Sequence, residues 1–409
     1  MNRRLRVAVV GCGTAGAAAA LFLSRAGHEV VVFERVAEPL PVGAGIMMQP
    51  SGLLVLERLG LAERVVARGA RVDHLVCDTV KGRSVLDLRY DALGDGLYGV
   101  GLHRGVLFET LFGALRASDA RIACGVSIDR VRTLGGGAVE LVDESAETYG
   151  PFELAIVCDG ARSHVRDAMT TLSKTVQPYP WGAMWFIGRD LDGRHASRLH
   201  QIVQGSRHMI GLLPTGLGPG SGDVPLVSLF ASIRADSVDD VRARGIDAWK
   251  RYVSELAPIA APVLEQIDDF ADLTFASYWD VTMPRWHAPG VALLGDAAHA
   301  TSPQLGQGCN LALCDAAALA DAIASAETID QALDRYTASR RDHLGFYQLA
   351  TRWLTPFFQS DMDWLGVVRD LAMGPGSRVP FVRREMVRSM AGTKTGFLFG
   401  STETRMPRK

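Results

Sequence analysis

Apolar positions along the chain fall into two textures. Residues 5–10 are a short β-branched run, suited to a strand buried on both faces. Residues 15–25 are small and apolar at helical length, Gly27 stops them, and residues 29–33 turn apolar again, which predicts one strand–helix–strand unit. A Gly/Pro-rich segment at 39–45 leads to a predicted helix over 51–59 closed by Gly60. Alternation over 71–100 predicts a small antiparallel excursion. A helix over 105–117, a strand at 120–124, a hairpin about 135–137 and a buried strand at 154–158 follow. From 177 to 277 the texture becomes β-rich, with strands expected at 181–187, 209–213 and 226–233 and a helix at 248–256. A strand at 291–294 and an alanine-rich helix at 308–324 return to the first texture. The remaining residues look helical, and their aromatics (Phe346, Tyr347, Trp353, Phe357, Phe358, Trp364) read as core.

Composition narrows the class. The 409 residues suffice for two or three domains, and 48% hydrophobic with 22% charged residues excludes disorder, collagen and coiled coil. Forty-three Lys plus Arg against 45 Asp plus Glu leave a formal charge of −2, with no bias toward nucleic acid or an anionic membrane. The apolar run after Arg3, Arg4 and Arg6 is interrupted by Gly11, Gly13 and Gly16 and is followed at once by a second strand, so it reads neither as a secretory signal nor as a membrane span. Six cysteines without a Cys-x-x-Cys pair or metal-ligand spacing fit a reducing cytoplasm, and the Cys309/Cys314 pair reads as helix filler rather than a redox couple.

Three segments carry chemistry. Gly11-Cys12-Gly13-Thr14-Ala15-Gly16 lies between strand and helix, where glycines let a pyrophosphate approach the positive helix end, and Glu34, 18 residues beyond Gly16, suits ribose hydroxyls. That is a dinucleotide site, for FAD or NAD alike. The second segment runs from Ile156 through Asp159-Gly160 to Arg166; by itself it reads as a strand ending in a turn, with Ser163 and Arg166 on a solvated helix start. The third, Gly295-Asp296 to Asn310, places an acidic residue at a strand end before a glycine-rich loop and a helix whose free amides can face negative charge.

In this order, with His103-Arg104-Gly105-Val106-Leu107 between the first two, the segments resemble the single-component FAD-dependent aromatic monooxygenases, of the para-hydroxybenzoate hydroxylase fold and similar to salicylate and ubiquinone-pathway hydroxylases. Residues 43–46 and Pro50 resemble the same family, with Ser51-Gly52 in place of its usual Asn-Ala or Asn-Gly. The resemblance runs from 5 to about 345. It implies an α/β fold: a Rossmann-like FAD-binding domain (1–75, 98–176 and 278–345), an inserted, mostly antiparallel β substrate domain (76–97 and 177–277) and C-terminal helices (346–409). It places the FAD pyrophosphate on Gly11, Gly13, Thr14, Ala15 and Gly16, and the ribose on Glu34 with Arg35 beside it. Arg104 would reach the phosphate or ribityl region, Asp159 would serve FAD and the pyridine nucleotide, and Asp296 would hold a ribityl hydroxyl. The loop of Gly306 and Gly308, with the amides of Cys309 and Asn310, would face the flavin pyrimidine.

The resemblance further implies hydroxylation of an aromatic or heteroaromatic small molecule by O2 through a flavin C4a-hydroperoxide, with NADH or NADPH as a transient co-substrate, consistent with the lack of a second Gly-x-Gly-x-x-Gly. N-hydroxylation, epoxidation, halogenation, or flavin binding without oxygenation remain alternatives. Trp185, His208, Met209, Leu213, Phe230 and Pro303 are candidate pocket walls by position; no catalytic base is named, His208 reads better as a core histidine, and His299, part of the family's loop pattern, reads at least as well as a structural hydrogen-bonding residue as a catalytic one. No metal site is expected, and the oligomeric state stays open. Arg383, Arg384, Arg408 and Lys409 read as solvated charges.

Overall fold

A computed structural model of the chain describes residues 3–94, 96–220, 223–396 and 400. Arg408 and Lys409 lie outside these, as does the end of the C-terminal segment. Two sheets organise the fold. The first has six strands in the order His287–Ala288, Val291–Leu293, Leu154–Val157, Arg6–Val10, Glu29–Glu34, Arg121–Cys124, all parallel except the first pair. Helices Thr14–Arg25, Arg104–Arg116 and Gly308–Ser325 and a three-stranded meander (Ile128–Thr133, Val139–Asp143, Thr148–Phe152) pack around one core, so Val7, Ala8 and Val9 are fully buried. Continuous apolar strands are what a sheet covered on both faces requires. Gly308–Ser325 is long and apolar enough to cross a membrane, with mean hydropathy 1.2. More than half of it is buried, packed against Thr14–Arg25, Pro50–Arg58 and Ile329–Phe358, which makes it a core helix here.

The second sheet has nine strands. Thr274–Thr282, Thr175–Arg189, Leu226–Arg234, His208–Gly216, Ser197–Gln204, Ala70–Thr79, Gly99–His103 and Gly45–Met48 lie side by side, and Ser84–Arg89 pairs with Ala70–Thr79. Only Ser197–Gln204 and Ala70–Thr79 run parallel. Its side chains alternate strictly between faces. Met184, Ile210, Leu212, Leu229 and Ala231 meet helix Ile246–Leu256 through Trp249 and Val253, whereas Ala183, Trp185, Met209, Leu213 and Phe230 point the other way.

Several expectations change. Ser197–Gln204 was not anticipated, because the adjacent polar pair His200-Gln201 hides its period of two. The division drawn at 75/76 falls inside strand Ala70–Thr79, and that at 345/346 inside the 30-residue helix Ile329–Phe358. Ser163 and Arg166 are fully buried, not solvated: Ser163 caps helix His164–Ala168, and Arg166 donates to the carbonyls of Ala161 and Ala297. Of the C-terminal aromatics, Phe346, Tyr347 and Phe358 are buried, but Trp353 and Trp364 are 71% and 62% exposed. Arg383 and Arg384 are exposed as expected.

Candidate active site

Where the first sheet's strands end, main chain forms the wall. Gly11 has φ +93°, its amide donates to Phe33 O at 2.8 Å, and a Cβ there would lie 2.6 Å from Cys158 O. A Cβ on Gly16 would lie 2.0 Å from Gly11 O. Both glycines are therefore packing requirements of the turn, and Gly16 itself does not line the cavity. Above Gly13, by contrast, a Cβ would meet nothing within 4 Å, which leaves space for a ligand beside the uncapped start of helix Thr14–Arg25. Glu34 accepts from the amides of Cys12 at 2.8 Å and Val36 at 3.0 Å, which fixes its carboxylate at the rim, with Arg35 exposed next to it.

These residues open into one cavity of about 870 Å³ that continues past Asp159, Arg104 and Asp296 to residues 301–309 and then into the β-rich sheet. Two features show that a polar ligand fits there. Asp159 Oδ1 is buried without a partner, and burial pushes the carboxyl pKa up. Among the described residues nothing pairs with the side chains of Arg104 or Asp296, although both face the cavity. Helix Gly308–Ser325 begins at this wall with no side-chain cap, so its first amides are available. Gly306, Gly308 and Cys309 line the cavity, and burial raises the Cys309 thiol to about 12, which makes it inert. Asn310 does not line it: its Oδ1 accepts from Gln49 N at 2.8 Å and its Nδ2 donates to Met47 O at 3.0 Å, tying the helix start to strand Gly45–Met48. Thr14, Ala15 and the other predicted cofactor contacts lie along this same wall. The donor set, a glycine turn at an uncapped helix start, an orphaned carboxylate and unpaired acidic and basic side chains along one cavity, fits a dinucleotide such as FAD.

At the far end the wall is side chains. Trp185, Met209, Leu213, Phe230 and Pro303 line it, as expected. Trp185 and Phe230 rings sit 4.9 Å apart, and Gly211 makes room, since a Cβ there would lie 2.0 Å from the Phe230 ring. His208 does not line the cavity. It lies one residue out of register with Met209, so it projects from the opposite face, where it bonds the Tyr252 hydroxyl. Sequence reasoning missed Gln201 and Tyr278, and also the closure of this chamber by Phe358, Met373 and Met390 from the C-terminal helices. Leu199, Gln201 and Val203 share parity on their strand, which is the signal that could have found Gln201.

Beneath the 295–310 loop lies a buried polar network. Asp315 accepts from Gly295 N at 2.9 Å, from His299 Nε2 at 2.5 Å and from Arg340 Nε at 2.7 Å. Arg340 also donates to His343 Nδ1, and His343 Nε2 donates to Gly392 O at 2.9 Å. Burial alone would raise the Asp315 carboxyl; His299 and Arg340 outweigh it and hold the group at about 2. His299 is thus structural.

A glycine turn, acidic and basic groups along one cavity and an apolar chamber at its far end are the features of a dinucleotide-dependent oxidoreductase. Residues 4–345 match the family described as FAD binding domain, and the chain belongs to it. It is 26% identical over 372 residues to kynurenine 3-monooxygenase of Xanthomonas oryzae pv. oryzae, covering 83% of this chain and 76% of that protein. It is 30% identical over 352 residues to 3-amino-4-hydroxybenzoate 2-monooxygenase of Streptomyces cremeus, covering 78% of each. Klebsiella pneumoniae HpxO, solved with FAD and uric acid, shares the fold with TM-score 0.79 at 20% identity over 94% of this chain and 97% of that one. The protein is an FAD-dependent monooxygenase.

Proposed function

We propose that the protein hydroxylates an aromatic or heteroaromatic small molecule, consuming NADH or NADPH and O2 and releasing water. The observation that carries this reading is the single cavity that joins the Gly11–Ala15 turn to the chamber of Trp185, Met209, Leu213 and Phe230. When bound, FAD supplies electron relay and oxygen activation. The chain supplies position and environment. Gly13 and the start of helix Thr14–Arg25 would bind the pyrophosphate, Glu34 the ribose, and Arg104 and Asp296 the polar chain between pyrophosphate and ring. The amides at the start of Gly308–Ser325 would stabilise negative charge at the ring's edge. Trp185 and Phe230 offer an aromatic wall for an aromatic substrate, and Phe358, Met373 and Met390 add apolar surface that would limit water in the chamber. Six unpaired thiols support a reducing, cytoplasmic setting.

The test is turnover by the FAD-loaded protein with each pyridine nucleotide, a panel of phenols and hydroxyquinolines, and isotopically labelled O2. The reading expects ligand-stimulated NAD(P)H oxidation and a product that carries one labelled oxygen on its ring. Stimulated oxidation with an N-hydroxylated, epoxidised or unlabelled product would contradict ring hydroxylation, and no stimulation by any ligand would favour a flavin-binding protein that does not oxygenate.

A further inference from the structure

We propose that the chamber selects an uncharged ring, engaging its polar atoms through Gln201 and Tyr278, and discriminates against ring carboxylates. This rests on the hydroxylase reading for the identity of the chamber as the substrate site. Among the described residues, the Asp, Glu and Arg side chains on the cavity wall are Glu34, Arg35, Arg104, Asp159, Arg162 and Asp296. All six belong to the strand ends, loops and helix starts of the dinucleotide half. From Ala183 and Trp185 to Phe230 and on to Phe358 no described residue of the wall carries a cation. A carboxylate buried there would lose its hydration without gaining a charged partner, and the chamber's neutral donors alone do not offset that cost.

The chamber still has polar atoms, but most are engaged. Ser232 Oγ accepts from Met209 N and donates to Arg207 O. Gln359 accepts from Gln304 and donates to Gly182 O, and Tyr90 donates to Gln49. Gln201 is different. It sits on the cavity face of Ser197–Gln204 between Leu199 and Val203, opposite Cys77 on one neighbouring strand and Gly211 on the other. Among the described residues its amide has no partner. An amide set into an apolar face is costly unless something bonds it, and a neutral ring bearing N–H, hydroxyl or carbonyl groups would satisfy both its donor and its acceptor. Tyr278 OH accepts from Trp185 Nε1 at 3.2 Å, which leaves its proton to donate into the chamber. Burial raises this phenol to about 12, so it remains a donor at neutral pH.

The experiment titrates the FAD-loaded protein with matched probes that differ by one carboxylate: 4-hydroxyquinoline and its 2-carboxylate, phenol and 4-hydroxybenzoate, aniline and 4-aminobenzoate. Binding is read from the visible flavin absorbance and by equilibrium dialysis. The neutral member of each pair should bind at least about tenfold tighter. Gln201→Leu and Tyr278→Phe should each weaken the best neutral probe by about tenfold while leaving the unliganded flavin spectrum unchanged, and Gln201→Arg should shift the ratio toward the carboxylates. A carboxylate that binds as tightly as its neutral partner, failure of every neutral probe to bind, or indifference to both Gln201→Leu and Tyr278→Phe would overturn the proposal. Neutral binding without NAD(P)H consumption would contradict the hydroxylase reading while supporting the selectivity, whereas fastest turnover with a carboxylated probe would contradict the selectivity alone.

Discussion

At the Gly11 end of the cavity the wall is main chain and helix ends; at the Phe230 end it is side chains from alternate strand positions. The first kind of wall has steric and conformational requirements that few residue types meet, so substitutions there act in an all-or-none way. The second is defined by parity and volume, and several apolar residues could serve at each place, so substitutions there act in graded fashion. Between them lies the seam at 295–310, which Asn310 ties to strand Gly45–Met48. It rests on Asp315, Arg340 and His343 below.

The largest effect should come from the seam. Asp315→Ala strands the buried Arg340 guanidinium and removes the acceptor of Gly295 N, and it should cost about 3–5 kcal/mol in urea unfolding. A loss under about 1 kcal/mol would mean that the seam stands without its support. Next is the main-chain wall. Gly11→Ala combines a positive φ with a contact too close to Cys158 O, and should lower stability by about 2 kcal/mol and abolish FAD retention on gel filtration.

Acidification should act on the seam as well. Burial and the neighbouring Arg340 hold His343 down to about 3, so it stays neutral in the fold and takes up a proton on unfolding below its ordinary value of 6.5. Stability should therefore fall as pH drops below about 6.5, by at most about 1.4 kcal/mol per unit. Asp315 adds a second loss once pH falls from about 3.9 toward 2, since its stabilising contribution is complete only above the unfolded value. His343→Gln should flatten the upper slope, measured as urea midpoints against pH.

Smaller effects separate the two walls. Arg104→Ala and Asp296→Ala should each weaken FAD by about tenfold, about 1.4 kcal/mol, in fluorescence titration, without altering the affinity of neutral probes for the reloaded protein. His208→Ala should be the mildest. It should cost no more than about 1 kcal/mol through loss of the Tyr252 bond and leave both FAD and probe binding unchanged; weakened probe binding would place the histidine on the wrong face of the sheet.

The same contrast explains what could be read from the sequence. Gly11 and Gly16 were legible because only glycine fits the close approaches there, Gly13, Glu34, Asp159 and Asp296 because their spacing sets them at a helix start and at strand ends, and the strands and helices around them followed from unbroken apolar runs. The chamber left weaker traces. Met209 and Leu213 share parity and His208 does not, so the pattern alone could have separated them. Gln201 was hidden because the strand that carries it did not stand out. Asp315, Arg340 and His343 lie on two helices and meet only through the packing of Gly308–Ser325 against Ile329–Phe358, which no local signal announces. A charged residue at a helix start is usually exposed, which is why the sequence at Arg166 suggests a solvated side chain; here the carbonyls of Ala161 and Ala297 take it inside.

The most direct test is a crystal structure of the FAD-loaded protein. The adenosine ribose should lie within hydrogen-bonding distance of Glu34, the pyrophosphate over Gly13, and the ring should be bounded by residues 306–309 with one face open to Trp185 and Phe230. A ring stationed elsewhere, or a dinucleotide that leaves Glu34 and Asp296 untouched, would contradict it.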